Sequence, residues 1–140
     1  MRTSEKGMSL IKKFEGLRTK AYICPAGVWT IGYGHTGPEV VPGLVWSQEQ
    51  ADAALKSDLV RFETKVNDWD TKYHWTQNEF DALVSFAYNL GTIKQLVDYG
   101  NRTREEIISH WTLYCNAGGK KLPGLVRRRE EEVKLFCGKS

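Results

Sequence analysis

Paired cysteines, clustered metal ligands and long apolar runs are all missing from this 140-residue chain. Its three cysteines, Cys24, Cys115 and Cys137, are an odd number without paired spacing. That argues against a disulfide framework and leaves at least one thiol free; all three are expected to be reduced. His35, His74 and His110 are scattered, and none stands at ligand spacing to a cysteine or a carboxylate, so no metal site is expected. No apolar stretch approaches the ~18 residues needed to cross a bilayer. The segment from Met1 to Phe14 is interrupted by Glu5, Lys6, Lys12 and Lys13 and has no apolar h-region, so synthesis and retention in the cytoplasm are expected. Repeats, low-complexity tracts and linkers are absent too. The chain is expected to form one domain over 1–140, large enough to bury roughly two thirds of its surface.

What is present is an ordinary globular composition with an uneven charge. The net charge of +3 conceals six Lys or Arg against two Glu in residues 1–20, and seven against three in residues 120–140. Each end is therefore +4 and the middle −5. If the ends pack together, one face is basic and suits an anionic polymer, either cell wall or nucleic acid. A solvated face accounts equally well for any single basic cluster.

Helix signals divide the chain. Thr3 or Ser4 can cap a first helix whose apolar positions Met8, Ile11 and Phe14 recur at three-residue steps, with Gly16 as its stop. Three capping boxes follow: Ser47 with Gln50, Thr76 with Glu79, and Thr103 with Glu106. The Ser47 helix is predicted to run to about Val66, with Ala51, Leu55, Leu59, Phe62 and Val66 on one stripe. The Thr76 helix carries Phe80, Leu83, Val84 and Ala87 and stops at Gly91. The Thr103 helix carries Ile107, Ile108, Trp111 and Cys115. A shorter helical piece spans Ile93 to Tyr99 and ends at Gly100. After a loop at Asn116-Ala117-Gly118-Gly119, Pro123 opens a last helix with Val126, Val133, Phe136 and Cys137 on one face.

Between the first two helices lies the stretch with most chemistry. Glu15 falls at a helix C-terminus, where a negative charge opposes the helix dipole and needs a reason. The following residues, rich in Trp, Thr, Ile and Tyr and broken by Pro25 and Gly27, read as two short strands around a turn. A helix end facing a hairpin makes a cleft that holds a carboxylate, the Cys24 thiol and the Thr30 hydroxyl. The expected fold is α+β, mainly α: a small β-hairpin lobe and a helical lobe joined by the Ser47 helix. Asp58 interrupts that helix's apolar stripe and should be paired; His35, after the second strand, is its expected partner, which would raise the His35 pKa.

The run Phe14-Glu15-Gly16-Leu17-Arg18, then Ala21-Tyr22, Cys24-Pro25-Ala26-Gly27 and Trp29-Thr30-Ile31-Gly32-Tyr33-Gly34-His35-Thr36 resembles the start of the phage-type lysozymes, the family 24 glycoside hydrolases. In that family a Glu is followed after eight intervening residues by Asp or Cys, and after five more by Thr; this chain has that spacing with Cys in the middle place. Two later blocks resemble the family as well: Asp81-Ala82-Leu83-Val84-Ser85-Phe86-Ala87-Tyr88-Asn89-Leu90-Gly91, and Ala117-Gly118-Gly119-Lys120 with Pro123-Gly124-Leu125-Val126-Arg127-Arg128-Arg129-Glu130.

The resemblance implies a lysozyme-like fold and an endolysin that cleaves the β-1,4 link between N-acetylmuramic acid and N-acetylglucosamine in peptidoglycan, without a cofactor. Glu15 would be the general acid, and such an acid has to stay protonated until it donates to the leaving oxygen. Thr30 would help hold the attacking water. Cys24 would line the cleft, although thiol chemistry needs a low-pKa environment that the sequence does not identify. Tyr88 and Asn89 would face the sugar groove. Of Arg127, Arg128 and Arg129, at least one, with Arg128 as the candidate, would bind substrate or pair with Glu15, the other two being solvated. The implied setting is the host bacterial cytoplasm, with a separate membrane-disrupting protein giving access to the wall; a monomer that does not bind nucleic acid is expected. Two rivals remain: a lytic transglycosylase, and a non-catalytic binder of wall polymer or nucleic acid that uses the basic ends and the five Trp.

Overall fold

The computed structural model describes residues 1–117 and 119–138. Helix α1 (Glu5–Glu15) is capped by Ser4, whose hydroxyl accepts from Gly7 N, and it ends at Gly16, whose φ of 75° ordinary residues avoid. Thr3, the other candidate cap, instead gives its amide and hydroxyl to Glu63, at 2.8 and 2.7 Å.

An antiparallel sheet in the order β1-β2-β3 follows: β1 (Arg18–Ile23), β2 (Trp29–Gly32) and β3 (His35–Thr36). The first two are the expected strands. The third, pairing Thr30 with Thr36 and Ile31 with His35, was not expected, because two residues carry no periodicity. Helix α2 (Gln48–Asn67) has the expected capping box, and all five residues of its expected stripe are buried. It packs against β2 and β3 on one side and the helical core on the other.

A one-turn helix α3 (Asp70–Tyr73), unanticipated, leads to α4 (Gln77–Leu90), which stops at Gly91 as expected. The one-sided stripe expected for α4 is a correction: every residue from Glu79 to Ala87 is buried. The helix runs through the middle of the molecule and packs against α1, α2 and α7. Gly7 makes the α1 contact possible, since a Cβ there would come within 2.8 Å of Asp81. The cost of a central helix is that Asp81 and Ser85 are sealed from water and must find protein partners.

Helix α5 (Lys94–Val97) is shorter than the expected piece, because Asp98 and Tyr99 both take positive φ. Helix α6 (Arg104–Trp111) starts at the third capping box and leaves Cys115 buried beyond its end. The expected loop contains a minimal hairpin, β4 (Asn116–Ala117) with β5 (Lys120–Lys121); Gly118 lies outside the described residues. Helix α7 (Pro123–Phe136) opens on Pro123, but its buried face shares only Phe136 with the expected one. Val126 and Val133 are half-buried and Cys137 is exposed, whereas Arg128, Arg129, Glu132, Leu135 and Phe136 point inward. The architecture is mainly helical with two small antiparallel sheets, the α+β class expected.

Candidate active site

Glu15 is the last residue of α1, so its side chain leaves the helix where the backbone turns toward β1. Arg128 Nη1, coming from α7, donates to Glu15 Oε2 at 2.6 Å. The other oxygen lies beside the β2–β3 turn. A Cβ on Gly34 would stand 3.3 Å from Glu15 Oε1 and 3.5 Å from Tyr88 Oη, and Gly34 has a φ of +89°, so both space and backbone call for glycine. Tyr88 Oη donates to Tyr33 O at 2.6 Å, tying α4 to that turn, and its ring meets Phe62 edge-on. Burial first, then the charges of Glu15 and Asp58, push the Tyr88 phenol well above its ordinary range, so it stays a neutral donor. With a side-chain exposure of 21%, Glu15 is neither sealed nor free. It opens onto a cavity of about 730 Å³ whose walls include Lys13, Phe14, Asn89, Leu122 and Arg127.

Cys24 and Thr30 come together on the sheet. Cys24 N donates to Val28 O at 3.0 Å, closing the turn between β1 and β2. The backbone N–H groups of Val28 and Ala26 hold the Cys24 thiol below the usual thiol range, against a smaller opposing effect of desolvation. The low-pKa environment that the sequence did not reveal is therefore the turn's own backbone. Thr30 is buried, and its Oγ1 donates to Val28 O at 2.9 Å. A hydroxyl has one proton. With that proton given to Val28 O, Thr30 can only accept a hydrogen bond from an incoming water. Glu15 takes its hydrogen bond from Arg128; neither Cys24 nor Thr30 bonds to it among the described residues.

The arginine run departs most from expectation. Arg127 is exposed, but Arg128 and Arg129 are both buried. Arg129 Nη2 donates to Asn89 Oδ1 at 2.7 Å, and both arginines pair with Glu132, which is wholly inaccessible. The expectation that two of the three arginines are solvated is corrected: α7 passes beside the buried Ser85 of α4, and a guanidinium can satisfy Ser85 O, as Arg128 Nη2 does at 3.2 Å. The sequence reading assigns no role at the site to Glu132, Ser85 or Trp111. A signal for Glu132 existed, because Arg128, Glu132 and Phe136 recur at four-residue steps on one stripe of α7. The ends of the chain do pack together, through Glu15–Arg128 and through Lys13–Glu131 at 2.7 Å. The buried charges among them, Arg128 and Arg129 against Glu15 and Glu132, balance one another and leave the net excess of positive charge on the two ends unchanged.

The expected pair is present: His35 Nδ1 lies 2.7 Å from Asp58 Oδ2. A second carboxylate, missed in the sequence, flanks the ring on its other side, with Glu39 Oε1 2.5 Å from Nε2. Burial alone would lower the His35 pKa, but hydrogen bonds to Glu39 and Asp58 outweigh it and raise the value. His35 also packs on Trp46, with centroids 5.3 Å apart. The site's β sheet is thereby fastened to α2.

Comparison with known proteins bears on the family and the fold. The family described as phage lysozyme matches residues 12–132. The chain is 43% identical to an endolysin of Bacillus phage B103 over 97% of its own length, but it spans only 54% of that protein. It is 41% identical to an endolysin of Acyrthosiphon pisum secondary endosymbiont phage 1, covering 97% of this chain and 98% of that one. Among solved structures, the muramidase domain of SpmX from Asticaccaulis excentricus superposes with a TM-score of 0.86 at 38% identity, covering 96% of this chain and 97% of that one.

Proposed function

The chain belongs to the phage lysozyme family, and on that premise we propose that it is a peptidoglycan hydrolase that cleaves the β-1,4 link after N-acetylmuramic acid and serves host-cell lysis. The observation that carries the reading is Glu15, set at the end of α1, held by Arg128 and opening onto the 730 Å³ cavity. In this assignment Glu15 protonates the leaving glycosidic oxygen, and Thr30 accepts a hydrogen bond from the attacking water on the opposite face of the sugar. Cys24 takes the place that an aspartate holds in other members of the family and lines the cleft beside Thr30. Asn89 and Arg127 line the glycan path, with Tyr88 holding the β2–β3 turn behind Glu15.

The substrate is the wall polysaccharide, handled by a monomer with no cofactor and no nucleic-acid partner. No helix among the described residues is long and apolar enough to cross a membrane. Synthesis in the host cytoplasm followed by release through a separate membrane-disrupting protein completes the proposal. Clearing of a suspension of bacterial walls tests it, with the mass of the released fragments as the second measurement. Hydrolysis adds one water to each cut. Anhydro products without that water would establish a transglycosylase, and no clearing at any protein concentration would leave only a binder.

A further inference from the structure

Helix α7 carries a buried carboxylate to which the proposed reaction gives no role. Glu132 is wholly inaccessible and accepts hydrogen bonds from Ser85 Oγ at 2.5 Å, Trp111 Nε1 at 3.0 Å and Arg128 Nε at 3.3 Å. Arg129 reaches it as well, with Nε 2.9 Å from Oε1 and Nη2 3.3 Å from Oε2. Charges this deeply buried are tolerable only when balanced. Glu15 and Glu132 balance Arg128 and Arg129. Each arginine then extends from Glu132 to one residue of the cavity wall: Arg128 to Glu15 at 2.6 Å, Arg129 to Asn89 at 2.7 Å.

The second of these contacts has a chemical consequence. A guanidinium has donors and no acceptor, so Asn89 must turn its carbonyl oxygen toward Arg129. Its NH2 group is directed elsewhere as a donor. We infer that Glu132 is a positioning residue that sets two groups of the site at once: through Arg128 the carboxyl of Glu15, and through Arg129 the amide of Asn89, which therefore selects an acceptor oxygen on the glycan, a hydroxyl or an acetamido carbonyl. This rests on reading the cavity as the glycan site. A purely structural Glu132 would affect how much protein folds, not how the folded protein works.

Glu132→Gln removes the charge and keeps the shape. Its kcat and KM on solubilised glycan strands, measured by reducing-end release and normalised to folded protein, separate the two roles. The expected result is a kcat lower by about tenfold to a hundredfold, the scale of a misplaced reacting group, together with a raised KM as Asn89 loses its fixed orientation. If the single variant does not fold, Glu132→Gln with Arg129→Gln restores the charge balance. That pair is expected to fold and still turn over slowly, because Arg128 has lost its anchor. A crystal structure of the folded variant is the readout independent of activity: the Arg128 Nη1 to Glu15 Oε2 contact should lengthen beyond hydrogen-bond reach. Should the wild-type protein not hydrolyse glycan at all, the proposed function falls while this contact still decides the positioning role. An unchanged contact, or wild-type kcat and KM in a folded variant, overturns the inference.

Discussion

Replacing Glu15 by glutamine separates the chemistry of the site from its architecture. The amide keeps the volume of the acid and an oxygen facing Arg128, but it has no acidic proton to give. Loss of a general acid costs at least about a hundredfold in rate, which is roughly 2.7 kcal/mol of barrier at about 1.36 kcal/mol per decade. The stability cost should be smaller. The 2.6 Å contact with Arg128 changes from an ion pair to a hydrogen bond from a charged donor to a neutral amide oxygen, a loss of about 1 kcal/mol. Arg128 is not left unpaired, because Glu132 remains 3.3 Å from its Nε. One net positive charge is nevertheless left in the cluster, so a fall in Tm of about 3–6 °C is expected, well short of unfolding. The assay is reducing-end release from purified peptidoglycan, with thermal melts of both proteins in the same buffer. Full activity in Glu15→Gln would remove the lysozyme assignment at its central residue. Low activity accompanied by loss of the folded state would show that the carboxylate serves architecture instead.

Cys24→Asp should keep or raise wall hydrolysis, and Cys24→Ser should lose less than Glu15→Gln; equal losses in a folded protein would make the thiol a direct participant. Thr30→Val should fall between them, since it keeps the strand and removes only the acceptor assigned to the water; an unimpaired Thr30→Val would refute that assignment. Asp58→Asn tests the clamp on His35, whose raised pKa means that its contribution to stability is complete below the ordinary histidine range and disappears as pH rises through the folded value. The variant should thus lose about 1 kcal/mol or more at pH near 5.5 and much less near pH 9, and melts that show equal losses at both would exclude the pair. Denatured, unreduced protein should titrate as three thiols, Cys24, Cys115 and Cys137 all being free in the fold; a value near one would mean that a disulfide had formed.

The elements that the sequence makes legible are those whose signals are local. Four side-chain caps, at Ser4, Ser47, Thr76 and Thr103, each hydrogen-bond the backbone three residues on, and the stripe of α2 is buried residue for residue. The missed elements are too short to carry a period: β3 has two residues, and α3 a single turn. Helix α7 fails for a different reason. Arg127 to Glu132 is a run of six charges, and local reasoning assigns such a run to water. That rule holds when each charge is alone, but two carboxylates and two guanidinium groups brought in from α1 and α7 neutralise one another, and Ser85 and Trp111 donate hydrogen bonds to the Glu132 carboxylate. The same reasoning governs Cys24, where the determining groups are backbone amides that no side-chain pattern reports. Glu15 was readable from its misfit, a negative charge at the wrong end of a helix dipole. Its supports were not, because Arg128 lies 113 residues away and only the packing of α7 across α4 brings the two together. The residues that perform the proposed chemistry are thus visible in spacing, whereas those that hold them in place become visible only when charge is balanced in three dimensions.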